Sequence, residues 1–332
     1  MANKKIELGQ FFTKGDLWLK PQIKEFIKNS KCEIAFDPFA GSGDLLKSAK
    51  ISLNFSKTFG LDIDENLNWK INDSLICIPK IKNSIIITNP PYIAKQSASR
   101  KKINLSKYFN STVYDDIYLL ALDKMIESSK NLVAIIPESF INSNYRQKNL
   151  LSSITILEEN PFEDTKNPVC VACFDGKAKS FSEIKIYKNE NLISDLEKIK
   201  QLKIVPKRNL KIVFNDKSGW LALRAVDSAD DVHFINFDFK ENIKYDWEHK
   251  INVNSRLFSL INIDMPNLKK QVFISDCNKI LNKLRKDSSD ILLTPFKGNT
   301  KKGMRRRRLD FRLARAIMEK AYLSTEKKSL EK

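Results

Sequence analysis

Apolar residues in the first half of the chain recur in two alternating rhythms. Short unbroken runs have the length and β-branched content of strands buried on both faces: Ile34-Ala35-Phe36, Thr58-Phe59-Gly60-Leu61, Ser84-Ile85-Ile86-Ile87, Leu132 to Ile136, Ile154 to Leu157, and Val169 to Phe174. Between them the spacing turns helical: Leu17 to Ile27 around Pro21, a stretch opening at Leu45, Ile117 to Met125 behind Asp115-Asp116, and Glu138 to Leu151. Strands alternating with helices predict an α/β fold, a doubly wound, Rossmann-like sheet of about seven strands.

Near Gly176 to Ser182 the alternation stops. Short β-rich segments follow, Ile184-Lys185-Ile186-Tyr187 and Leu210-Lys211-Ile212-Val213-Phe214, set among irregular polar stretches. The expected division is a catalytic domain over residues 1–178 and a mixed α+β domain over 179–332. The second is rich in aromatic residues (Trp220, Tyr245, Trp247, Phe258, Phe273) and ends in a helix through Phe311, Leu313, Ala314 and Ile317. No internal repeat is present.

Charge changes this picture. The 332 residues hold 58 Lys and Arg against 40 Asp and Glu, a net charge of +18. Such an excess favours a polyanionic partner, most commonly nucleic acid. Two basic stretches are candidates. The polar connection from Ala94 to Thr112 carries Arg100, Lys101 and Lys102 and is long enough to predict a mobile loop. Farther on stand Lys301-Lys302-Gly303-Met304-Arg305-Arg306-Arg307-Arg308, whose guanidiniums suit phosphates and guanine edges. The five cysteines are scattered, as reduced thiols would be, and Cys170-x-x-Cys173 lies inside a buried run with only His233 and His249 elsewhere, so no metal site is expected. No apolar run approaches the roughly 18 residues of a membrane span, nor does an apolar signal region follow Met1 to Lys5, so a cytoplasmic protein is expected.

The candidate chemistry centres on Thr88-Asn89-Pro90-Pro91-Tyr92, at the end of a buried strand. Two prolines remove two backbone donors, so this loop offers carbonyl acceptors, with the Asn89 side-chain oxygen and the Tyr92 ring beside them. Such a set can grip a planar group bearing an NH2. Upstream, Asp37-Pro38-Phe39-Ala40-Gly41-Ser42-Gly43 reads as strand, acid, glycine turn and helix start, where a ligand can approach the backbone closely. Asp62 closes the next strand, where doubly wound folds bind a ribose diol. Asp73 lies in a turn before Ile76, and Phe162 is the one aromatic in the proline-bounded loop from Asn160 to Pro168.

Taken in order, these elements resemble the γ-class N6-adenine DNA methyltransferases of type II restriction-modification systems. Phe11-Phe12-Thr13 is similar to that family's N-terminal cofactor segment, Asp37 to Gly43 to its glycine loop, Asn89-Pro90-Pro91-Tyr92 to its catalytic tetrapeptide, and Phe162 to its base-supporting aromatic. The resemblance covers about residues 8–175. It implies S-adenosylmethionine as cofactor, held by Phe12, Thr13, Asp37, Pro38, Ala40, Gly41 and Gly43, with Asp62 on the ribose, Asp73 on the adenine amine and Asn89 beside it. It further implies an adenine flipped out of double-stranded DNA and stacked by Tyr92 and Phe162, recognition by residues 179–332, and a monomer working with a separate endonuclease on the same site.

Three other functions fit parts of the sequence. Methyltransferases of RNA adenine or of protein glutamine can use the same tetrapeptide, although a glutamine-directed enzyme needs no arginine-rich domain. Asp164-Thr165-Lys166 and Glu183-Ile184-Lys185 match an acid-x-Lys fragment of a metal nuclease, without a Pro-Asp partner upstream of either. A non-catalytic DNA-binding protein would have no use for an intact Asn89 to Tyr92.

Overall fold

The computed structural model describes residues 15–162, 165–207 and 210–330, with side chains as far as 326. It forms two compact units, Met1–Glu197 and Lys198–Lys332.

The first unit is built on β1 (Ile34–Asp37), β2 (Lys57–Asp62), β3 (Lys70–Ile71), β4 (Ser84–Thr88), β5 (Leu132–Pro137), β6 (Leu151–Ile156), β7 (Val169–Phe174), β8 (Lys185–Lys188) and β9 (Asn191–Asp195). They form one sheet in the order β3-β2-β1-β4-β5-β7-β6-β8-β9. The strands from β3 to β5 in that order pair in parallel, and β7 runs antiparallel between β5 and β6. The strand order reverses at β1 and β4, the switch point outside whose carboxyl ends ligands bind in doubly wound sheets. Every residue of β4 is buried, as its unbroken apolar run requires.

Nine strands replace the expected seven. β8 pairs in parallel with β6 and β9 antiparallel with β8. This hairpin extends the first unit to Glu197, beyond the expected boundary at 178. Only Ile186 of its residues is buried, as at a sheet edge, so the apolar signal that marks the inner strands fades before the sheet ends.

Helix α1 (Pro21–Asn29) starts at Pro21, whose missing N–H costs nothing at the first helical position. With α2 (Asp44–Ser52) it covers one face of the sheet, and Trp18, Ile23, Ile27, Leu45 and Leu46 pack there with Ile85, Ile87, Val133 and Ile135. The Ala94–Thr112 connection is ordered by two short helices, α3 (Lys95–Arg100) and α4 (Ser106–Phe109). Ala98, Tyr108 and Phe109 close a small core with Ile93, Ile117 and Leu120, the last two on α5 (Ile117–Ser128). The predicted helix from Glu138 to Leu151 is instead two 3₁₀ turns, Glu138–Asn142 and Lys148–Leu150. Ser143 Oγ donates to the Phe140 carbonyl at 2.8 Å, and the buried Lys148 ammonium to those of Ile141 at 2.8 Å and Ser143 at 2.5 Å. Side chains thus take acceptors that a continuing helix would use.

Helix α6 (Leu196–Leu202) spans the division between the units. In the second unit, β10 (Ile212–Phe214), β11 (Leu221–Arg224), β12 (Asn236–Phe239) and β13 (Phe258–Ile263) form an antiparallel sheet in the order β10-β13-β11-β12. Two long helices, α7 (Asn267–Asp287) and α8 (Phe311–Leu330), pack on each other, and β14 (Thr294–Asn299) pairs with β15 (Arg305–Arg308) as a separate hairpin.

The arginine run is therefore a strand, with its side chains on two faces rather than in one block. Burial alternates along β15: Arg305 and Arg307 are buried, Arg306 and Arg308 only partly. The hub beneath it is Asp227, which is 2% exposed. Its carboxylate accepts two bonds from the Arg285 guanidinium at 2.9 and 3.0 Å, the Arg307 N–H at 3.1 Å and the Ile235 N–H at 3.0 Å. Arg306 Nε donates to the Asp227 carbonyl at 2.9 Å, and its guanidinium lies over the Phe296 ring at 4.9 Å. Arg305, Arg306 and Arg307 thus serve the fold of this unit.

Candidate active site

Parallel pairing brings the ends of β1, β2 and β4 to one side of the sheet, where Asp37, Asp62 and Asn89 border a cavity of about 330 Å³. That is the size of a small-molecule site. The loop from Asp37 to Ser42 forms one wall and Asn72 to Leu75 another; Ile103, Asn104, Leu105, Lys107 and Tyr108 cover it. The basic connection is thus a roof, with Arg100, Lys101 and Lys102 exposed outside the cavity lining.

The glycine loop is held from two sides. Gly41 and Gly43 sit at φ of 51° and 81°, the left-handed region that glycine enters at little cost. Gly41 N–H donates to Asp62 Oδ2 at 2.8 Å, while the Trp69 indole donates to the Gly41 carbonyl at 2.8 Å. The indole lies so close that a Cβ on Gly43 would come within 2.8 Å of it, and one on Gly60 within 2.5 Å. Trp69 escaped the sequence reading. Its only signal was a large aromatic between the polar residues Asn68 and Lys70. Asp62 is buried, its Oδ1 also accepting the Asp64 N–H at 2.9 Å, so this acid already shapes the loop it borders.

Asp37 differs. Its Oδ1 accepts the Thr88 hydroxyl at 2.5 Å and the Phe39 N–H at 2.9 Å. Among the described residues nothing donates to Oδ2, and the side chain borders the cavity. Burial pushes its pKa up to about 7, against the lowering effect of the two hydrogen bonds, and nearby Asp62 adds to the rise. An ionised Asp37 calls for a cation in the cavity. Asp73, on the opposite wall, accepts Lys107 Nζ and the Tyr108 hydroxyl at 2.9 Å each, which ties α4 to the pocket.

In the tetrapeptide, Asn89 and Pro91 line the cavity and Pro90 is buried. The Tyr92 hydroxyl is in contact with Asn89 Oδ1 and lies 2.7 Å from the Ile135 carbonyl. Its ring meets Tyr118 and Phe162 edge-on, at centroid distances of 6.4 and 6.3 Å. Phe162, 5% exposed, belongs to the same core as Ile135, so it plugs that core while its ring touches the Tyr92 ring. Pro38 and Ala40 line the cavity as well. Gly43 is the residue that precedes α2. Phe12, Thr13 and Asp164 lie outside the described residues. In the second unit Lys301 and Lys302 are exposed.

A buried acid, a pinned glycine loop and a carbonyl-rich proline loop share one cavity at the switch point of a sheet with an antiparallel seventh strand. This is the Rossmann-like methyltransferase arrangement. Residues 11–165 match the Eco57I restriction-modification methylase family. The matched span contains the glycine loop, Asn89 to Tyr92 and Phe162. Among solved structures, the methyltransferase subunit of a type I restriction-modification system from Streptococcus thermophilus is 20% identical, over 58% of this chain and 52% of its own, with a TM-score of 0.39. The type I restriction enzyme EcoKI M protein is 13% identical over 97% of this chain and 71% of its own, also at 0.39. A proposed class I S-adenosylmethionine-dependent methyltransferase of Listeria monocytogenes is 15% identical, over 50% of this chain and 63% of its own, at 0.36. The fold rests on the strand order. No curated protein matches the chain. Among the described residues, no helix is long and apolar enough to cross a membrane.

Proposed function

We propose that this chain transfers a methyl group from S-adenosylmethionine to N6 of an adenine flipped out of duplex DNA, as the modification enzyme of a restriction-modification system. The observation that carries this reading is that Asn89 of the proline loop and Asp37 of the glycine loop border the same cavity.

The residues present fit the cofactor. Asp37 borders the cavity with both of its donors on Oδ1, and its carboxylate suits an ammonium. Asp62 suits the ribose hydroxyls, and the Asn72 to Leu75 wall with Asp73 suits the adenine. Gly41 and Gly43 let the cofactor approach the backbone, and by resemblance Phe12 and Thr13 belong to the same pocket. When bound, S-adenosylmethionine supplies an electrophilic methyl on a sulfonium.

The rest falls to this chain. The N6 lone pair of adenine is delocalised into its ring and is a poor nucleophile. Asn89 Oδ1 and the Pro90 carbonyl accept the two N6 hydrogens and favour a tetrahedral nitrogen, which gathers the lone pair toward the methyl. The Tyr92 hydroxyl in contact with Asn89 can turn its proton to the Ile135 carbonyl at 2.7 Å, which frees Asn89 for the incoming base. By resemblance the Tyr92 ring, backed by Phe162, compensates the stacking that the base gives up on leaving the duplex. The second unit reads the site, with Lys301 and Lys302 and the basic roof residues on phosphates.

The test is transfer of labelled methyl to duplex DNA by the purified chain, with methylome sequencing of an expressing host to name the base and site. Label in adenine N6, lost in Asn89→Ala, is the expected result. Transfer to ribosomal RNA or to a protein glutamine, with none to DNA, overturns the proposal.

A further inference from the structure

Strand β15 brings Arg308 to a surface that two distant segments complete. Arg308 is bridged to Val226, two residues beyond Arg224, and Arg224 pairs with Phe258 across β11 and β13. Arg256 precedes Phe258 by two positions and is exposed. The Arg224 guanidinium lies over the Phe258 ring at 4.8 Å. On that ring Tyr245 stacks at 4.3 Å and 22°, and Trp247 meets it edge-on at 6.1 Å. Trp247 is anchored in turn, its indole N–H shared between the Lys240 and Ile243 carbonyls at 3.0 and 3.1 Å.

The electrostatics of this patch are incomplete. Burial lowers the pKa of both Arg224 and Arg308, and the nearby Arg256 lowers that of Arg308 further. Asp230 and Asp310 offset part of this, yet among the described residues no carboxylate is hydrogen-bonded to either guanidinium. Arg285 in the same unit shows the alternative, with both Asp227 and Asp290 bound to it. Arg285, which serves the fold, has its acids. Arg224 has an aromatic bed and Arg308 a like-charged neighbour, an arrangement that favours an external anion.

We propose that Arg224, Arg256 and Arg308, supported by the Tyr245–Phe258 stack, form the surface of the second unit that grips the phosphates of duplex DNA. The assignment rests on the DNA-directed function proposed above. It draws on three segments separated in sequence and releases most of the arginine run from that role.

The test is anisotropy of a labelled duplex across a salt series. It compares the wild type with Arg256→Gln, with the triple variant Arg224→Gln, Arg256→Gln, Arg308→Gln, and with a control that neutralises the exposed Lys279, Lys283 and Lys286 on α7. Circular dichroism and S-adenosylmethionine binding check that each variant folds. The triple variant is expected to lose at least about tenfold in affinity, its salt slope falling by roughly 0.9 for each phosphate contact removed, while the control changes far less. Arg256 is exposed, so its single variant carries the test if the triple does not fold, with about a threefold loss and the slope reduced by one contact. Equal losses in variant and control would mean bulk charge alone and overturn the proposal. Wild-type affinity in the variants, with DNA methylation intact, overturns this surface and leaves the proposed activity standing. A wild-type chain that binds and methylates no DNA overturns both.

Discussion

Both units bury an aspartate almost completely, and the two are treated in opposite ways. Asp227 in the second unit accepts a two-pronged Arg285 guanidinium and two backbone N–H groups. Asp37 in the first has a hydroxyl and one backbone N–H, both on the same oxygen, and an open cavity on the other side. A saturated buried charge is scaffolding. One left with neutral donors at the rim of a cavity is prepared for a ligand that brings the missing charge. The difference lies in the accounting of partners, since burial is alike in both.

That contrast can be broken. The largest effect expected is structural: Asp227→Ala leaves the Arg285 guanidinium with Asp290 alone and two backbone N–H groups without their acceptor, and should destabilise the second unit by about 3 kcal/mol, toward the lower end of the cost of removing one partner of a buried pair. Chemical denaturation reads the loss, and S-adenosylmethionine affinity should stay near that of the wild type. A loss below about 1 kcal/mol would show that Asp227 is no hub. Next comes Asn89→Ala, expected to lower kcat by about 10²- to 10³-fold with a far smaller change in cofactor affinity, as when one electrostatic acceptor is removed from a preorganised site. An unchanged kcat would move the chemistry away from this loop.

The third effect is of order tenfold and depends on pH. The folded pKa of Asp37 is raised from 3.8 to about 7, so the fold favours its protonated form. The stability this group contributes is present below the ordinary carboxylate range and is lost as pH rises through about 7. A cationic ligand reverses the preference. S-adenosylmethionine affinity should therefore weaken below pH 7 by up to about tenfold per unit, with proton release on binding seen by calorimetry in two buffers. Thr88→Val removes a bond that lowers this pKa, so the midpoint should move up, and Thr88→Ser should restore it. A pH-independent affinity would deny Asp37 its cation. The smallest effect belongs to Arg100, Lys101 and Lys102. They are exposed outside the cavity, and neutralising all three should weaken DNA binding only a few-fold, as exposed charges screened by salt do.

What was legible in the sequence follows the range of the constraint. Asp37, Asp62 and Asn89 each end a buried strand, and a strand's end is fixed locally by an apolar run meeting a turn; all three border the cavity. Where side chains from elsewhere decided the backbone, the pattern misled. Glu138 to Leu151 has helical spacing, yet Lys148 and Ser143 bind the carbonyls such a helix would have used. The strand in the arginine run was hidden for a different reason. A run of one residue type has no contrast, so the two-residue rhythm that buries Arg305 and Arg307 leaves no trace in it. The β8–β9 hairpin, a half-exposed edge, likewise carries too little apolar signal to be assigned to the sheet in advance.

Trp69 reaches further than its hydrogen bond to Gly41. Because its ring occupies the space above Gly43 and Gly60 at 2.8 and 2.5 Å from where side chains would begin, Gly60 is glycine for the sake of a neighbour. The two positions form a lock and its key within one chain. Any lineage that enlarges residue 60 must first give up the indole at 69, and that order of events confines the routes by which this pocket can diverge.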